Sequence, residues 1–246
     1  MKKNIALIPS RLESKRLPGK ALLEIDGLPI IVHTAKRALL ANKVDEVYVC
    51  TDSQEIISIC QKYSINTILT ESHFTNGTER IASVSERFED SLIIDVQGDE
   101  PLIKPDYIDI LIDIHYNHQS KPEIIIPTIK VSYNSNDNTV RVISSNSGRV
   151  MFLTRGMSPY RFKSEVSVVH KHVSVISFTS EGLKKYSKLK KSYLETIEDI
   201  ELLRAIENDM QVYSHELEGN SFSIDVNDDY LRAKVAMVED PIRKLY

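Results

Sequence analysis

The amino-acid sequence predicts an α/β fold, in which a mostly parallel sheet is covered by helices on both faces. Short apolar segments alternate with segments of helical spacing through roughly residues 1–120. Two of them, Ile5–Ile8 and Leu92–Val96, are strongly apolar, which is typical of strands buried in a parallel sheet. Ile30–Leu40 follows Pro29 and carries apolar residues at helical spacing. This alternation of strands and helices indicates a Rossmann-like core.

The rest of the first half continues the same alternation. Val44–Cys50 is a predicted strand, and Asp52 or Ser53 can cap the helix at 54–63 that follows it. A short strand at Thr67–Leu69 and a helix at 78–88 come next.

The second half of the chain begins with mainly extended structure. Its predicted strands are Ile124–Val131, Thr139–Ile143, Arg149–Leu153, Val166–Phe178, Gln211–His215 and Phe222–Val226, and Ser144–Gly148 is a hairpin turn. Helices are expected at Leu194–Asn208, which is amphipathic, and at Asp228–Val238. We therefore expect one domain, 1–246, with a core at roughly 1–123 and 190–246. A smaller β-rich lobe, roughly 124–189, would be inserted into it.

Bulk composition excludes several classes of protein. The 246 residues are 41% hydrophobic and carry a net charge of −4, so there is a sizeable core and no global basic field for nucleic acid. Cys50 and Cys60 form neither a C-x-x-C pair nor a disulfide framework. No apolar segment approaches the ~18 residues of a membrane span. We expect a cytoplasmic protein that neither inserts into membranes nor binds nucleic acid.

A basic loop directly follows the first predicted strand. Residues 9 to 20 read Pro-Ser-Arg-Leu-Glu-Ser-Lys-Arg-Leu-Pro-Gly-Lys and contain four cations, at Arg11, Lys15, Arg16 and Lys20. Ligands of open α/β sheets bind beyond the carboxyl ends of the strands, and Arg and Lys both suit phosphate oxygens. The loop therefore predicts a polyphosphate site, with a solvated basic loop as the alternative. It is not a Walker A motif, because Ala21 replaces the Ser or Thr, and no G-x-G-x-x-G is present.

Two carboxylates at predicted strand ends suggest a metal site. Asp99 follows Leu92–Val96 after Gly98, which permits a tight turn, and Asp225 follows the apolar segment near Ile224. Two such carboxylates can hold Mg²⁺, a hard cation that also bridges substrate phosphates. The alternatives are a turn residue for Asp99 and a helix N-cap for Asp225.

Two further patches are less specific. Asn76, Gly77 and Thr78 open a helix, and Asn76 or Thr78 can act as its N-cap. Alternatively, this segment can contact a nucleotide base, and Arg80 can then reach a phosphate or an acidic substrate. His170 and His172 share one face of a strand, but a metal pair there lacks a third nearby His or Cys ligand. We interpret His172 as a buried or substrate-facing residue.

Taken together, these motifs resemble those of the CMP-Kdo synthetase family, the 3-deoxy-manno-octulosonate cytidylyltransferases. The resemblance covers nearly the whole chain. It rests on Ile8–Arg11, Arg16–Lys20, Gly77–Arg80, Val96–Pro101, Leu194–Arg204 and Ile224–Asp225.

The resemblance implies an activity and a set of site residues. The family consists of dimeric, Mg²⁺-dependent enzymes that make a CMP-sugar and pyrophosphate from CTP and an ulosonic acid, here for lipopolysaccharide or capsule. It implies a homodimer, with the β-rich lobe serving dimerisation and sugar binding. The implied catalytic residues are Arg11, Lys20 and Asp99, and the implied metal ligands are Asp99 and Asp225. CTP would contact Pro9, Ser10, Arg11, Arg16, Lys20, Asn76, Gly77 and Thr78. The sugar acid would contact Arg80, Gln97, Arg155, His172 and Glu201.

Two positions depart from the family pattern. Ile176 stands where the family has a tyrosine, and Leu202 stands where it has a glutamine. Loss of two hydrogen-bonding groups can redirect specificity, so the acceptor is Kdo or a related ulosonic acid with an amine or a less polar substituent. The alternatives are a cytidylyltransferase for a sialic-like sugar or a phosphonate, and a non-catalytic nucleotide-binding paralogue.

Overall fold

The computed structural model describes residues 2–14, 16–134, 139–221 and 223–246. Its strands are β1 (Asn4–Ser10), β2 (Glu24–Ile25), β3 (Leu28–Pro29), β4 (Glu46–Thr51), β5 (Asn66–Leu69), β6 (Leu92–Val96), β7 (Ile124–Ser132), β8 (Arg141–Ser144), β9 (Val150–Thr154), β10 (Val168–His172), β11 (Val175–Thr179) and β12 (Val212–Glu216). Its helices are α1 (Ile30–Leu39), α2 (Gln54–Lys62), α3 (Gly77–Ala82), α4 (Pro105–Asn117), α5 (Ser180–Tyr186), α6 (Tyr193–Glu198), α7 (Leu203–Glu207) and α8 (Asn227–Val238). Short 3-10 helices lie at Lys20–Leu22, Ser85–Phe88 and Pro241–Leu245.

One large mixed sheet organises these elements. Among the described residues, the strand order is β5-β4-β1-β6-β11-β7-β10-β8-β9, and β12 pairs with β7. Strands β5, β4, β1 and β6 are parallel to one another. Beyond β6 the sheet continues with antiparallel pairs through β11, β7 and β10. The parallel half therefore brings the carboxyl ends of β1 and β6 to one edge.

Helices bury both faces of the sheet. Successive side chains of β1 point to opposite faces, and all of Ile5–Ile8 is buried. Ala6 and Ile8 pack into one apolar cluster with residues of α1, α2 and α4. Ile5 and Leu7 pack into a second cluster with residues of α3, α5 and α7. The predicted α/β class, with helices on both faces, is confirmed.

Several local predictions are also confirmed. The Ser53 hydroxyl accepts a hydrogen bond from the Ile56 N–H and caps α2, so Ser53 rather than Asp52 is the cap. The hairpin turn joins β8 to β9, which pair antiparallel. Gly148 adopts a φ of 84° in it, a conformation that glycine adopts without a steric penalty.

Other local predictions were wrong. The single helix expected at Leu194–Asn208 is broken into α6 and α7, because Asp199 adopts a left-handed conformation with a φ of 51°. Residues 223–226 form no strand, and Phe222 lies outside the described residues. The helix expected at 78–88 is α3 followed by the 3-10 turn at Ser85–Phe88.

Two helices were missed from the sequence. α4 begins at Pro105, a residue favoured in the first helical turn, and α5 is capped by the Thr179 hydroxyl. The segment expected to be extended at Val166–Phe178 is two strands, β10 and β11. The first pairs with β7, and the second pairs with both β6 and β7. The division into a core and an inserted lobe stays a prediction.

In the described ranges, no helix combines the length and apolar character needed to cross a bilayer.

Candidate active site

A cleft of about 1200 Å³ lies at the carboxyl ends of β1 and β6. Its walls come from the basic loop after β1, the start of α3 and the turn after β6. The segments after β9 and α6 and the segment before α8 complete it. It gathers most of the predicted site residues: Pro9, Ser10, Arg11, Arg16, Lys20, Asn76, Gly77, Arg80, Gln97, Asp99, Arg155 and Asp225.

The basic loop is fixed by contacts with the rest of the cleft. Gly19 adopts a left-handed φ of 64° just before Lys20, which turns the chain into a 3-10 helix. The Lys20 ammonium donates hydrogen bonds to Asp99 Oδ2 and to the Ile224 carbonyl, each at 2.6 Å. Arg11 donates to the Thr75 carbonyl at 3.3 Å. The loop's cations therefore face the cleft and not bulk solvent alone. Lys15 lies outside the described residues.

Asp99 and Asp225 converge on the same ammonium. The Lys20 Nζ lies 2.6 Å from Asp99 Oδ2 and 3.7 Å from Asp225 Oδ1. The two segments are joined by a backbone hydrogen bond from Ile224 N–H to the Asp99 carbonyl, at 3.0 Å. Asp99 lies in the turn after β6, as the turn-residue interpretation expected. Its carboxylate is in addition the partner of the Lys20 ammonium.

The alternative interpretation of Asp225 as a helix cap was wrong. Asp229 in the first turn of α8 accepts hydrogen bonds from the N–H groups of Asp225 and Val226. The Asp225 carboxylate instead accepts a hydrogen bond from Arg16, at 2.8 Å. It is therefore available to the cleft and not occupied by the helix end.

This pair of carboxylates fits a Mg²⁺ ion. Within the described residues, no group of three or more His, Cys, Asp or Glu side chains could hold a metal. Mg²⁺ does not require such a cage, because it usually takes one or two carboxylates together with substrate phosphates and waters. Asp99 and Asp225 offer hard oxygen donors within reach of one small cation, beside the loop that holds the cations Arg11, Arg16 and Lys20.

The start of α3 forms a closely packed wall. Asn76 Oδ1 accepts a hydrogen bond from the Glu79 N–H at 2.8 Å, so Asn76 rather than Thr78 is the N-cap. A Cβ atom at Gly77 would lie 2.7 Å from Gln97 Oε1 and 3.0 Å from Pro9 Cγ. Only glycine allows α3 to approach β1 and the Gln97 side chain this closely, which brings these residues together on one surface.

Two arginines line the cleft while bound to the protein itself. Arg80 is 3% exposed; it donates to the Thr70 hydroxyl at 2.6 Å and pairs with Asp52 at 3.3 Å. Arg155 donates from Nε to the Glu198 carbonyl at 2.9 Å and from Nη2 to the Asp199 carbonyl at 3.1 Å. Both are held at fixed positions on the wall by these contacts.

Three predicted contact residues are not brought to the cleft surface. Thr78 is buried behind Gly77; its N–H donates to Glu201 Oε2 at 3.1 Å and its hydroxyl donates to Asp95. Glu201 therefore supports the wall from behind. His172 does not line the cleft, and burial lowers the pKa of its ring to about 4. The direct contacts expected for these three residues are thus not supported by the geometry.

Asp95 was not singled out from the sequence, although it lies directly beneath the cleft. It is fully buried, and both of its oxygens lie 3.0 Å from Gln97 Nε2. Burial and the neighbouring Glu201 carboxylate raise the pKa of Asp95, and burial raises the pKa of Glu201. The Gln97 amide nitrogen donates to Asp95, and the amide group as a whole packs against Gly77. A buried acid in an otherwise apolar strand was the signal available in the sequence.

The two departures from the family pattern lie in the core. Ile176 and Leu202 are each 1% exposed and belong to the same apolar cluster. Neither lines the cleft. The expectation that they face hydroxyl groups of the sugar therefore loses its geometric basis.

Comparison with known proteins agrees with this arrangement. The sequence profile of the family described as Cytidylyltransferase matches residues 5–213. The chain belongs to this cytidylyltransferase family. A 3-deoxy-manno-octulosonate cytidylyltransferase from a Nitratiruptor species is 34% identical, over 95% of this chain and 99% of the relative. The mitochondrial 3-deoxy-manno-octulosonate cytidylyltransferase of Arabidopsis thaliana is 31% identical, over 96% of this chain and 83% of the relative.

A solved structure extends this comparison to the fold of the cytidylyltransferase. CMP:2-keto-3-deoxy-manno-octonic acid synthetase, solved in complex with CTP, superposes with a TM-score of 0.90 at 28% sequence identity. The match covers 97% of this chain and 99% of the other.

Proposed function

We propose that this cytidylyltransferase transfers CMP from CTP to the anomeric hydroxyl of Kdo or a closely related ulosonic acid, releasing pyrophosphate. The observation that carries the proposal is the convergence of the basic loop, Asp99 and Asp225 in one cleft. A cationic loop next to two carboxylates suits a triphosphate that carries a bound metal ion. The relatives' names supply the acceptor. The product would activate the sugar for lipopolysaccharide or capsule.

The chain's own residues would bind and orient the two substrates. Arg11, Arg16 and Lys20 would hold the triphosphate and offset the charge that develops as pyrophosphate leaves. Pro9, Ser10, Asn76 and Gly77 would lie along the nucleoside. The acceptor's hydroxyl oxygen attacks the α-phosphorus, the bond from that phosphorus to the bridging oxygen breaks, and the hydroxyl proton passes to solvent. Positioning of the two reactants would supply most of the acceleration.

Asp99 and Asp225 would hold Mg²⁺. When bound, the ion would neutralise phosphate charge and lower the pKa of the attacking hydroxyl. In the structure Lys20 pairs with Asp99, and Lys20 and Arg16 both lie beside Asp225; we infer that the Lys20 ammonium turns to the phosphates when the nucleotide and metal enter. Asp99, Lys20 and Arg11 would thus act together on the triphosphate.

The acceptor would occupy the remaining wall of the cleft. Gln97 lines this wall with its amide group, which would suit a hydroxyl of the sugar. Arg155 and Arg80 supply positive charge for the acid group of an ulosonic acid. This division assigns the basic loop to CTP and the segments after β6 and β9 to the sugar.

We also propose a cytoplasmic homodimer. Large apolar side chains are exposed in the segment from β9 to β10, including Tyr160 at 81% and Phe162 at 89%. Exposure of this kind favours a protein partner. Cys50 and Cys60 are free and buried, as expected of thiols kept in a reducing compartment.

The test is turnover by the purified protein with CTP, Mg²⁺ and Kdo. We expect stoichiometric pyrophosphate and a CMP-Kdo product identified by mass spectrometry, with loss of both on chelation by EDTA. A parallel series replaces CTP by UTP, and Kdo by a sialic acid or a phosphonate. Turnover only with a sialic acid or a phosphonate would overturn the proposed acceptor. No turnover with any acceptor would overturn the proposed reaction.

A further inference from the structure

The break between α6 and α7 places an acid on the cleft wall that neither the sequence motifs nor the proposed mechanism uses. α6 ends at Glu198, and Asp199 adopts a φ of 51° and a ψ of 46°. Its N–H donates to the Glu195 carbonyl, which closes the helix end. The residue is exposed and lines the same cleft as Gln97 and Arg155.

The carboxylate of Asp199 is not committed to another part of the protein. Asp99 and Asp225, two other acids of the cleft, are paired with Lys20 and Arg16. Across residues 2–14, 16–134, 139–221 and 223–246, the Asp199 side chain makes no hydrogen bond and no ion pair. Glu13 is another acid of the cleft, but unlike Asp199 it lies on the basic loop itself, two residues from Arg11.

The turn that carries Asp199 is held by other groups. Glu198 accepts from the Thr154 hydroxyl at 2.7 Å and from the Arg155 N–H at 2.9 Å. Arg155 in turn donates to the backbone carbonyls of Glu198 and Asp199. These contacts tie the end of β9 to the end of α6. The Asp199 carboxylate is therefore presented from a fixed turn without being needed to hold that turn.

An ionised carboxylate only accepts hydrogen bonds. The acid group of an ulosonic acid is repelled by it, so the group that faces Asp199 has to be a hydroxyl or an ammonium of the acceptor. Hydrogen bonds to a charged group are stronger than those between neutral groups. A substituent without a donor at that position would displace water from the carboxylate without replacing the lost hydrogen bond.

We propose that the Asp199 carboxylate accepts a hydrogen bond from a hydroxyl or amino substituent of the acceptor sugar and thereby selects among ulosonic acids. This role rests on the proposed function. It makes Asp199 a specificity-determining residue whose preferred acceptors carry a hydrogen-bond donor, with an ammonium favoured over a hydroxyl by charge complementarity.

The experiment combines two substitutions at position 199 with a panel of acceptors. Asp199→Asn keeps the shape and tolerates the left-handed conformation but removes the charge, and Asp199→Gly keeps the conformation and removes the side chain. Asp209→Asn is the matched control: Asp209 is also exposed with a left-handed φ, of 57°, but it follows α7 and does not line the cleft. The panel is Kdo together with analogues in which one hydroxyl at a time is replaced by hydrogen or by an amine.

We expect one position of the sugar to respond to Asp199. Removing the hydroxyl at that position of the sugar should lower the kcat/KM of the wild type by roughly 10- to 100-fold. In Asp199→Gly the same deoxy sugar should cause no further loss, because the deoxy change and the substitution remove the same contact. An amine at that position should be the best acceptor of the wild type and lose the most in Asp199→Asn. The KM for CTP and the melting temperature should stay close to wild type, and Asp209→Asn should behave as the wild type throughout.

The failures of the two proposals can be told apart. If Kdo is turned over but every deoxy effect is the same in the wild type and in Asp199→Gly, the role of Asp199 is overturned and the proposed function stands. If the wild type turns over no member of the panel, both are overturned.

Discussion

At the scale of single residues, one ammonium group organises the reactive end of the cleft. Lys20 contacts both Asp99 and Asp225, and Arg16 contacts Asp225 as well. Their side chains are neither fully buried nor fully exposed, with 25% of Asp99 and 23% of Asp225 accessible. Because these groups remain partly hydrated and share more than one partner, substitutions here should change activity far more than they change the stability of the fold.

Asp99→Asn and Asp225→Asn should each lower kcat by about 10²-fold or more, as when a main electrostatic contact to the transition state is removed. The amide keeps the shape and loses the anionic oxygen that suits Mg²⁺. Steady-state kinetics with CTP and Kdo, together with thermal unfolding, provide the measurement. Asp228→Asn is the control, because Asp228 is exposed and lies outside the cleft. A variant that keeps more than roughly a third of the wild-type kcat would contradict a metal role for that residue.

Lys20→Ala and Arg11→Ala should each raise the KM for CTP and lower kcat. Both side chains line the cleft, and both would contact charge that redistributes during phosphoryl transfer, so both kinetic parameters should change. Lys62→Ala, an exposed lysine at the end of α2, controls for the loss of one positive charge. If CTP kinetics were unchanged in both variants, the assignment of this loop to the triphosphate would be wrong.

At the scale of elements, a buried arginine joins three helices behind the cleft. Arg204 of α7 pairs with Glu195 of α6 and with Glu79 of α3, each at 2.6 Å. The side chains of Arg204 and Glu195 are 4% and 3% exposed. The N-terminus of α3 carries Asn76 and Gly77, so this contact helps to fix the cleft wall relative to α6 and the turn after it.

Arg204→Met should destabilise the protein by about 3–5 kcal/mol, because it leaves the Glu195 carboxylate buried without a cationic partner. Urea unfolding at pH 7 measures the change. Lys185→Met is the control, since the Lys185–Glu123 pair is much more exposed and should be worth at most about 1 kcal/mol. Adding Glu195→Gln to Arg204→Met should recover part of the loss. Equal losses in the two single variants would show that burial of the Arg204 pair has no energetic consequence.

At the scale of the whole molecule, buried ionisable groups make stability depend on pH in opposing directions. Burial lowers the pKa of His115, in α4 against β11, to about 4. Burial raises the pKa of Glu100, which follows Asp99, to about 7. A lowered histidine pKa destabilises the folded state as the pH falls from about 6.5 to 4, because only the unfolded chain takes up the proton there. The raised pKa of Glu100 acts the other way, with stability lost as the pH rises from about 4.5 to 7.

The contribution of His115 can be isolated by comparison with a variant. His115→Gln should remove that residue's acid sensitivity, so the wild type should lose about 2 kcal/mol relative to the variant between pH 7 and pH 5. The common effect of Glu100 cancels in this difference. Urea unfolding of both proteins at the two pH values gives the measurement, with the exposed His73→Gln as control. Parallel stability changes in wild type and His115→Gln would show that His115 is not protected from protonation in the fold.

The sequence predictions were accurate where a feature depends on neighbouring residues and failed where it depends on contacts between residues distant in sequence. Strands β1 and β6 are rich in apolar residues, and α2 has its cap at Ser53, so each could be predicted from neighbouring residues. The break at Asp199 could not, because a left-handed residue inside an amphipathic pattern is stabilised by contacts from Thr154 and Arg155, which are distant in sequence.

The sequence by itself determined the α/β class, the basic loop and the choice of Asp99 and Asp225 as candidate acids, because period, composition and turn chemistry are local properties. Only the tertiary structure decided that Asp225 lies beside Asp99, since the Ile224–Asp99 hydrogen bond joins segments separated by more than a hundred positions. It also decided that Thr78 and Glu201 lie behind the cleft wall and that Asp199 lies on it. Which side of a wall a polar residue occupies depends on packing between elements, and a single sequence records that packing only indirectly.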